Sequence, residues 1–462
     1  MSRVDAIARA ARHFDSGDFR DDLARAVAVP SASRDEARAG DLVAYIDDIL
    51  LPAFEAMGFA TRVATNELAP GPFLLAERIE DADALTVLQY GHGDVVTGLD
   101  PQWSEGLFPW RVVEKDGRWY GRGTADNKGQ HLINMAALRA VLETRGKLGF
   151  NCRFLIEMGE ESGSVGLKEY CEAHAAALRA DLFLASDGPR LAIDRPTIFL
   201  GARGGMSFHL TVESREGFHH SGNWGGLLSN PGVELAHAIA ALVGPQGQIR
   251  VPELVPPSIP DNVRRVLKAC EIEPAPGDPA IQEWWGEPGL SPAEKVFAWS
   301  SLEVMEFECG NLERPLYAIP PRATARMQLR FPVGVDHASV VPAVREHLDR
   351  FGFAHVKVTP SPDAIFEASR LDPDHPWVGR ISASIAKTCG RPPAILPNLG
   401  GSLPNNLFFD LLGLPTIWIP HSYPGCKQHA ADEHLPIAIA REGLAVMAGL
   451  YWDLGEERTM QP

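Results

Sequence analysis

Four short apolar runs in this chain each lead to a histidine or an acid. Leu85–Tyr90 is followed by His92 and Asp94, and Cys152–Met158 by Glu160 and Glu161. Asp181–Ser186 leads to Asp187, and Pro415–Pro420 to a loop that holds His429. Between and around the runs lie segments with apolar residues at helical spacing: 4–14, 19–28, 40–57, 129–144, 165–179, 376–388 and 436–451. Strand-like runs alternating with helices predict an α/β fold: a mixed, largely parallel sheet with helices on both faces. In such a sheet the ligand crevice lies at the carboxyl ends of the strands. The pattern therefore constrains the fold and the candidate site together.

The texture changes near residue 204. Ser207–Glu213 and Ala323–Phe331 alternate as half-buried strands do, with helical patterns at 231–243 and 336–351 and a further strand at 355–359. This is the cadence of a small α+β unit. We expect a discontinuous catalytic domain, residues 1–203 and 373–462, and an inserted lid or dimerisation domain, 204–372. Residues 245–295 are rich in Pro, Gly and charge, and their pattern assigns no element.

The formal net charge of −17 over 462 residues argues against nucleic acid or an anionic membrane as partner, since both require basic surface. The N-terminus lacks the layout of a signal peptide, and no apolar run reaches the length of a membrane span. The six cysteines are scattered without a CxxC spacing, so a reduced, cytoplasmic protein is expected.

His92, Asp126, Glu160, Glu161, Asp187 and His429 fall where they could share one crevice. Each has an ordinary reading taken singly: Asp126 as a helix cap, Asp187 as a turn former, either histidine as a core residue. Together, two histidines and several carboxylates are the ligand set of zinc or a similar divalent ion. Neighbouring side chains leaving a strand point in different directions, so one glutamate of the pair could hold a metal while the other moves a proton. The glycine-rich stretches 121–123 and 201–205 fit neither the dinucleotide fingerprint nor the phosphate loop.

Six segments carry a family resemblance: Gly91–Val96, Tyr120–Gly129, Glu160–Ser164, Ser186–Gly188, Gly400–Pro404 and His429–Glu433. In these the chain resembles the M20-family metallohydrolases, a group of di-zinc aminoacylases, carboxypeptidases and carnosinase-like dipeptidases. The resemblance implies that Asp126 bridges two divalent ions, with zinc the default and manganese or cobalt alternatives. His92 and Asp187 would complete one site, and Glu161 and His429 the other. Asp94 would hydrogen-bond the His92 imidazole, and Glu160 would be the general base.

The stretch Gly217–Asn223 resembles the family segment whose histidine stabilises the tetrahedral intermediate, crossing from the partner in dimeric members. Alignment on Ser221-Gly222 selects His220 over His219, although Phe218 stands where an acid is usual. Arg330, or Arg326 on the same strand face, would bind a substrate carboxylate. Gly400, Gly401 and Ser402 would present backbone N–H groups to substrate. The implied activity is hydrolysis of an amide bond in a small substrate with a free carboxylate, a dipeptide or an N-acyl amino acid, by a homodimer joined through the inserted domain. N-carbamoyl amino acids and a non-catalytic scaffold are the alternatives. The chain length and residues 245–310 tilt the reading toward the carnosinase-like branch.

Overall fold

The apolar runs become strands buried on both faces. In Leu182–Ala185, Leu182 and Leu184 enter one core and Phe183 and Ala185 the opposite one. Asn151–Glu157 divides in the same way, with Cys152, Phe154 and Ile156 on one side and Leu155 on the other. Double burial is why these strands read as continuous apolar segments rather than alternating ones. This computed structural model describes residues 1–272, 274 and 279–456.

Eight strands form the large sheet. Their spatial order is Ala60–Ala64, Phe73–Arg78, Asn151–Glu157, Thr86–His92, Leu182–Ala185, Thr416–Trp418, Thr197–Phe199 and Ala394–Leu396. The four central strands, from Asn151–Glu157 to Thr416–Trp418, are mutually parallel, and antiparallel pairings lie toward the margins. The helices Arg3–Asp15, Lys128–Arg145 and Ile437–Leu454 pack together over one face. Helix Leu167–Ala173 lies in the core of the other. The mixed, largely parallel α/β sheet is the fold expected from the sequence.

A second, antiparallel sheet has the order Ser301–Cys309, Arg322–Phe331, Gly204–Glu213, Lys357–Pro360. Helices Pro231–Leu242 and His337–Arg350 cover one face and share its core. The unassigned stretch contributes helix Asp261–Leu267, whose Val263 and Leu267 join the core of the large sheet beside Ala394 and Leu396. That stretch is therefore not wholly given to the smaller sheet.

Candidate metal centre

His92 closes strand Thr86–His92, and its neighbour in register is Glu157, at the end of Asn151–Glu157. Asp187 follows the next parallel strand, Leu182–Ala185. Three adjacent strand ends thus face one crevice. Gly93 permits close packing just after His92, because a β-carbon there would lie 2.5 Å from the Tyr45 ring and 2.6 Å from Met158 Sδ.

Two clusters form around Asp126. His92 Nε2 lies 3.3 Å from Asp126 Oδ1 and 3.5 Å from Asp187 Oδ2. His429 Nε2 lies 3.1 Å from Asp126 Oδ2 and 3.1 Å from Glu161 Oε2. In each cluster the donor atoms lie within 4.8 Å of one another. The two oxygens of one carboxylate thus face different histidines. The buried atoms His92 Nε2, Asp187 Oδ2 and Glu161 Oε1 make no hydrogen bond. Buried polar atoms are normally satisfied, so three such atoms converging at one place fit a metal centre.

The electrostatics point the same way. Burial alone would lower the His92 pKa, but the carboxylates of Asp126, Asp187 and Asp94 outweigh it and hold the imidazole well above its usual range. Asp126 and Glu161 raise His429 to about 11. Burial first, and then the Asp126 charge, raises Glu161 to about 7. The cluster is a concentration of negative charge that demands cations.

Glu160 and Glu161 open the short turn Glu160–Ser162. The Asp94 carboxylate fixes this turn: its Oδ1 accepts the Glu160 N–H and its Oδ2 the Glu161 N–H, both at 3.1 Å. The expectation for Asp94 is refined accordingly. His92 Nδ1 lies closest to the backbone carbonyl of Asp94, at 3.0 Å, with the carboxylate at 3.4 Å. Asp94 therefore orients the imidazole chiefly through its main chain and the glutamate pair through its side chain. Glu161 turns into the second cluster. Among the described residues the Glu160 carboxylate has no hydrogen-bond partner, and burial pushes its pKa well up, with Glu161, Asp187 and Asp126 adding to the rise against the attraction of His92.

Arg330 donates from Nη1 to Ser402 Oγ at 2.6 Å, while the Arg203 guanidinium holds the Gly400 carbonyl at 2.9 and 2.7 Å. Arg330 has no carboxylate partner among the described residues, whereas Arg326 is engaged by Asp363 and Glu306. Gly401 lies in the same loop, where a β-carbon would meet nothing closer than 3.7 Å. His220 is not brought to the clusters within one chain. It lies in the short strand His219–His220, paired with Ala318–Ile319, and its Nδ1 accepts the Gly222 N–H at 3.1 Å. His219 Nε2 sits 3.3 Å from the Glu216 carbonyl.

Sequence reasoning gave no role to Glu433, which is fully buried. Its Oε1 accepts the backbone N–H groups of Gly123, Ala125 and Asp126 at 3.0, 2.9 and 3.1 Å, and its Oε2 accepts Arg122 Nη1 at 2.7 Å. The acidic doublet Asp432-Glu433, just past His429, was the available signal.

Carboxylates and histidines converging on a crevice at the carboxyl ends of parallel strands, with an unpartnered glutamate alongside, define a metallohydrolase class of site. The model for peptidase family M20/M25/M40 matches residues 88–453, and the chain belongs to that family. It is therefore a metal-dependent hydrolase of amide bonds. The chain is similar to the cysteinylglycine-S-conjugate dipeptidase of Corynebacterium striatum, with 29% identity over 70% of this chain and 70% of the relative. It is 26% identical to the β-Ala-His dipeptidase of Homo sapiens over 95% of this chain and 86% of the relative. Its fold matches the dipeptidase Dug1p from Saccharomyces cerevisiae with a TM-score of 0.80 and 21% identity, covering 99% and 100% of the two chains. Among the described residues no helix is long and apolar enough to cross a membrane.

Proposed function

We propose that this chain hydrolyses the peptide bond of dipeptides with the aid of two divalent ions, zinc by default. The observation that carries this reading is the sharing of Asp126 between two three-residue clusters beside the free carboxylate of Glu160. His92, Asp126 and Asp187 would hold one ion, and Asp126, Glu161 and His429 the other. When bound, such ions polarise a carbonyl and acidify water. Glu160 would take the proton of the attacking water at its carboxylate and return it to the leaving nitrogen. Its carboxylate, without a hydrogen-bond partner among the described residues and close to both clusters, is free for both transfers. Arg330, with no acidic partner among the described residues, would receive the substrate carboxylate beside Ser402 and Gly401.

A homodimer through the smaller sheet is part of this reading. Ser301–Cys309 is an edge strand with exposed Val304, Met305 and Phe307, and Phe218, Trp224 and Tyr317 are also exposed. Unpaired apolar edges of this kind invite pairing with a second chain. His220 would then reach the centre of the partner. The six free cysteines support a reducing, cytoplasmic setting.

The test is an assay of metal-loaded protein on Cys-Gly, β-Ala-His and other dipeptides, beside N-acetyl and N-carbamoyl amino acids, reading released amine. Turnover of dipeptides is expected. Turnover confined to N-carbamoyl substrates would overturn the substrate assignment.

A further inference from the structure

A second acidic doublet, Asp432-Glu433, stands behind the centre, and its two carboxylates reach opposite ways. Glu433 gathers the N–H groups of Gly123, Ala125 and Asp126 in the loop that presents Asp126, as described above. It also pairs with Arg122, whose Nε donates to the Thr97 carbonyl at 3.2 Å. Asp432 grips a different loop. Its Oδ1 accepts the Ser104 N–H at 2.8 Å, and its Oδ2 accepts the Ser104 hydroxyl at 2.7 Å and Lys427 Nζ at 3.3 Å. Between Lys427 and Asp432 lies His429, whose side chain is 58% exposed and whose Nε2 faces Asp126 and Glu161.

The backbone of this loop needs restraint. Lys427, His429 and Asp432 have φ of 56°, 62° and 62°, a left-handed conformation that non-glycine residues seldom adopt. Three such residues within six persist only where the surroundings fix them. The hydrogen bonds of Asp432 to Ser104 supply that fixation from a segment far away in sequence.

We propose that Asp432 and Glu433 are positioning residues that set the two arms of the metal centre independently: Asp432, through Ser104, places His429, and Glu433, through the N–H groups of residues 123–126, places Asp126. The inference rests on the reading of Asp126 and His429 as ligands. It predicts an asymmetry. Loss of the Asp432 grip affects only the ion held by His429. Loss of the Glu433 grip affects both ions, because Asp126 is common to them.

The experiment titrates metal-free, full-length protein with Zn²⁺ by calorimetry. Wild type is compared with Ser104→Ala, Asp432→Asn and Glu433→Gln, with circular dichroism to verify that each variant is folded. Ser104→Ala and Asp432→Asn are expected to weaken one binding step by about 10- to 100-fold and leave the other unchanged, the usual size for a partner that orients a ligand. Glu433→Gln is expected to weaken both steps. Ser104→Thr, which keeps the hydroxyl and N–H, is expected to restore the wild-type isotherm. Two unaltered steps in Ser104→Ala and Asp432→Asn, or equal weakening of both, would overturn the inference. These variants report on it even if Glu433→Gln does not fold. Absence of Zn²⁺ binding in wild type would instead overturn the ligand assignment on which it rests.

Discussion

The two clusters share Asp126 yet differ in setting. His92 and Asp187 are sealed, with side chains 0% and 4% exposed, whereas His429 is 58% exposed on a loop of left-handed residues. One cluster is built from strand ends and the core beneath them. The other borrows its histidine from a loop held down by hydrogen bonds. A closed half suits tenure of an ion, and an open half suits contact with substrate, since catalytic sites keep an accessible position.

The most severe break in this comparison is Asp126→Ala, which removes the common carboxylate. Both ions and all turnover are expected to be lost, measured by metal content after dialysis and by amine release. Retention of one tight ion would show that the clusters are independent. Next in size, Glu160→Gln separates chemistry from occupancy. Activity should fall by about 10²–10⁴-fold while the metal content of both clusters stays unchanged. Metal loss in that variant would make Glu160 a ligand rather than a base.

Stepwise chelation sharpens the contrast between sealed and open halves. The ion at His429 should leave first, and each ion lost should lower the thermal midpoint. An ion present at about 1,000-fold its Kd adds about 4 kcal/mol to stability. Simultaneous loss of both ions would erase the distinction. The smallest expected effect concerns the fold alone. His429→Asn in metal-free protein should lower stability by about 1–3 kcal/mol, because it leaves the buried Asp126 and Glu161 carboxylates without their charged partner. Chemical denaturation of wild type and variant measures this.

The closed half was the more legible in sequence. Its residues end runs such as Leu85–Tyr90 and Asp181–Ser186, where burial on both faces writes itself as unbroken hydrophobicity. Edge strand Ser301–Cys309 was not legible, because its alternation slips at Met305, where the register shifts between Val304 and Glu306. Three-residue strands such as Val113–Lys115 and Ala394–Leu396 are too short to carry a period. In the site, residue types at strand ends could be read locally. The bond from Ser104 to Asp432 spans 328 positions, and no local pattern encodes it. The side-chain role of Asp94 was likewise hidden, because its partners are main-chain N–H groups rather than recognisable side chains.

A carboxylate shared by two bound ions would couple their affinities, and any such coupling is reciprocal. Whatever factor the first cation imposes on the affinity of the second, the second imposes on the first. If Asp126 holds both ions, as proposed, filling the sealed half would alter the charge that the same side chain offers to the open one. An enzyme built this way would respond to metal supply as a linked pair, with a coupling constant set by one side chain.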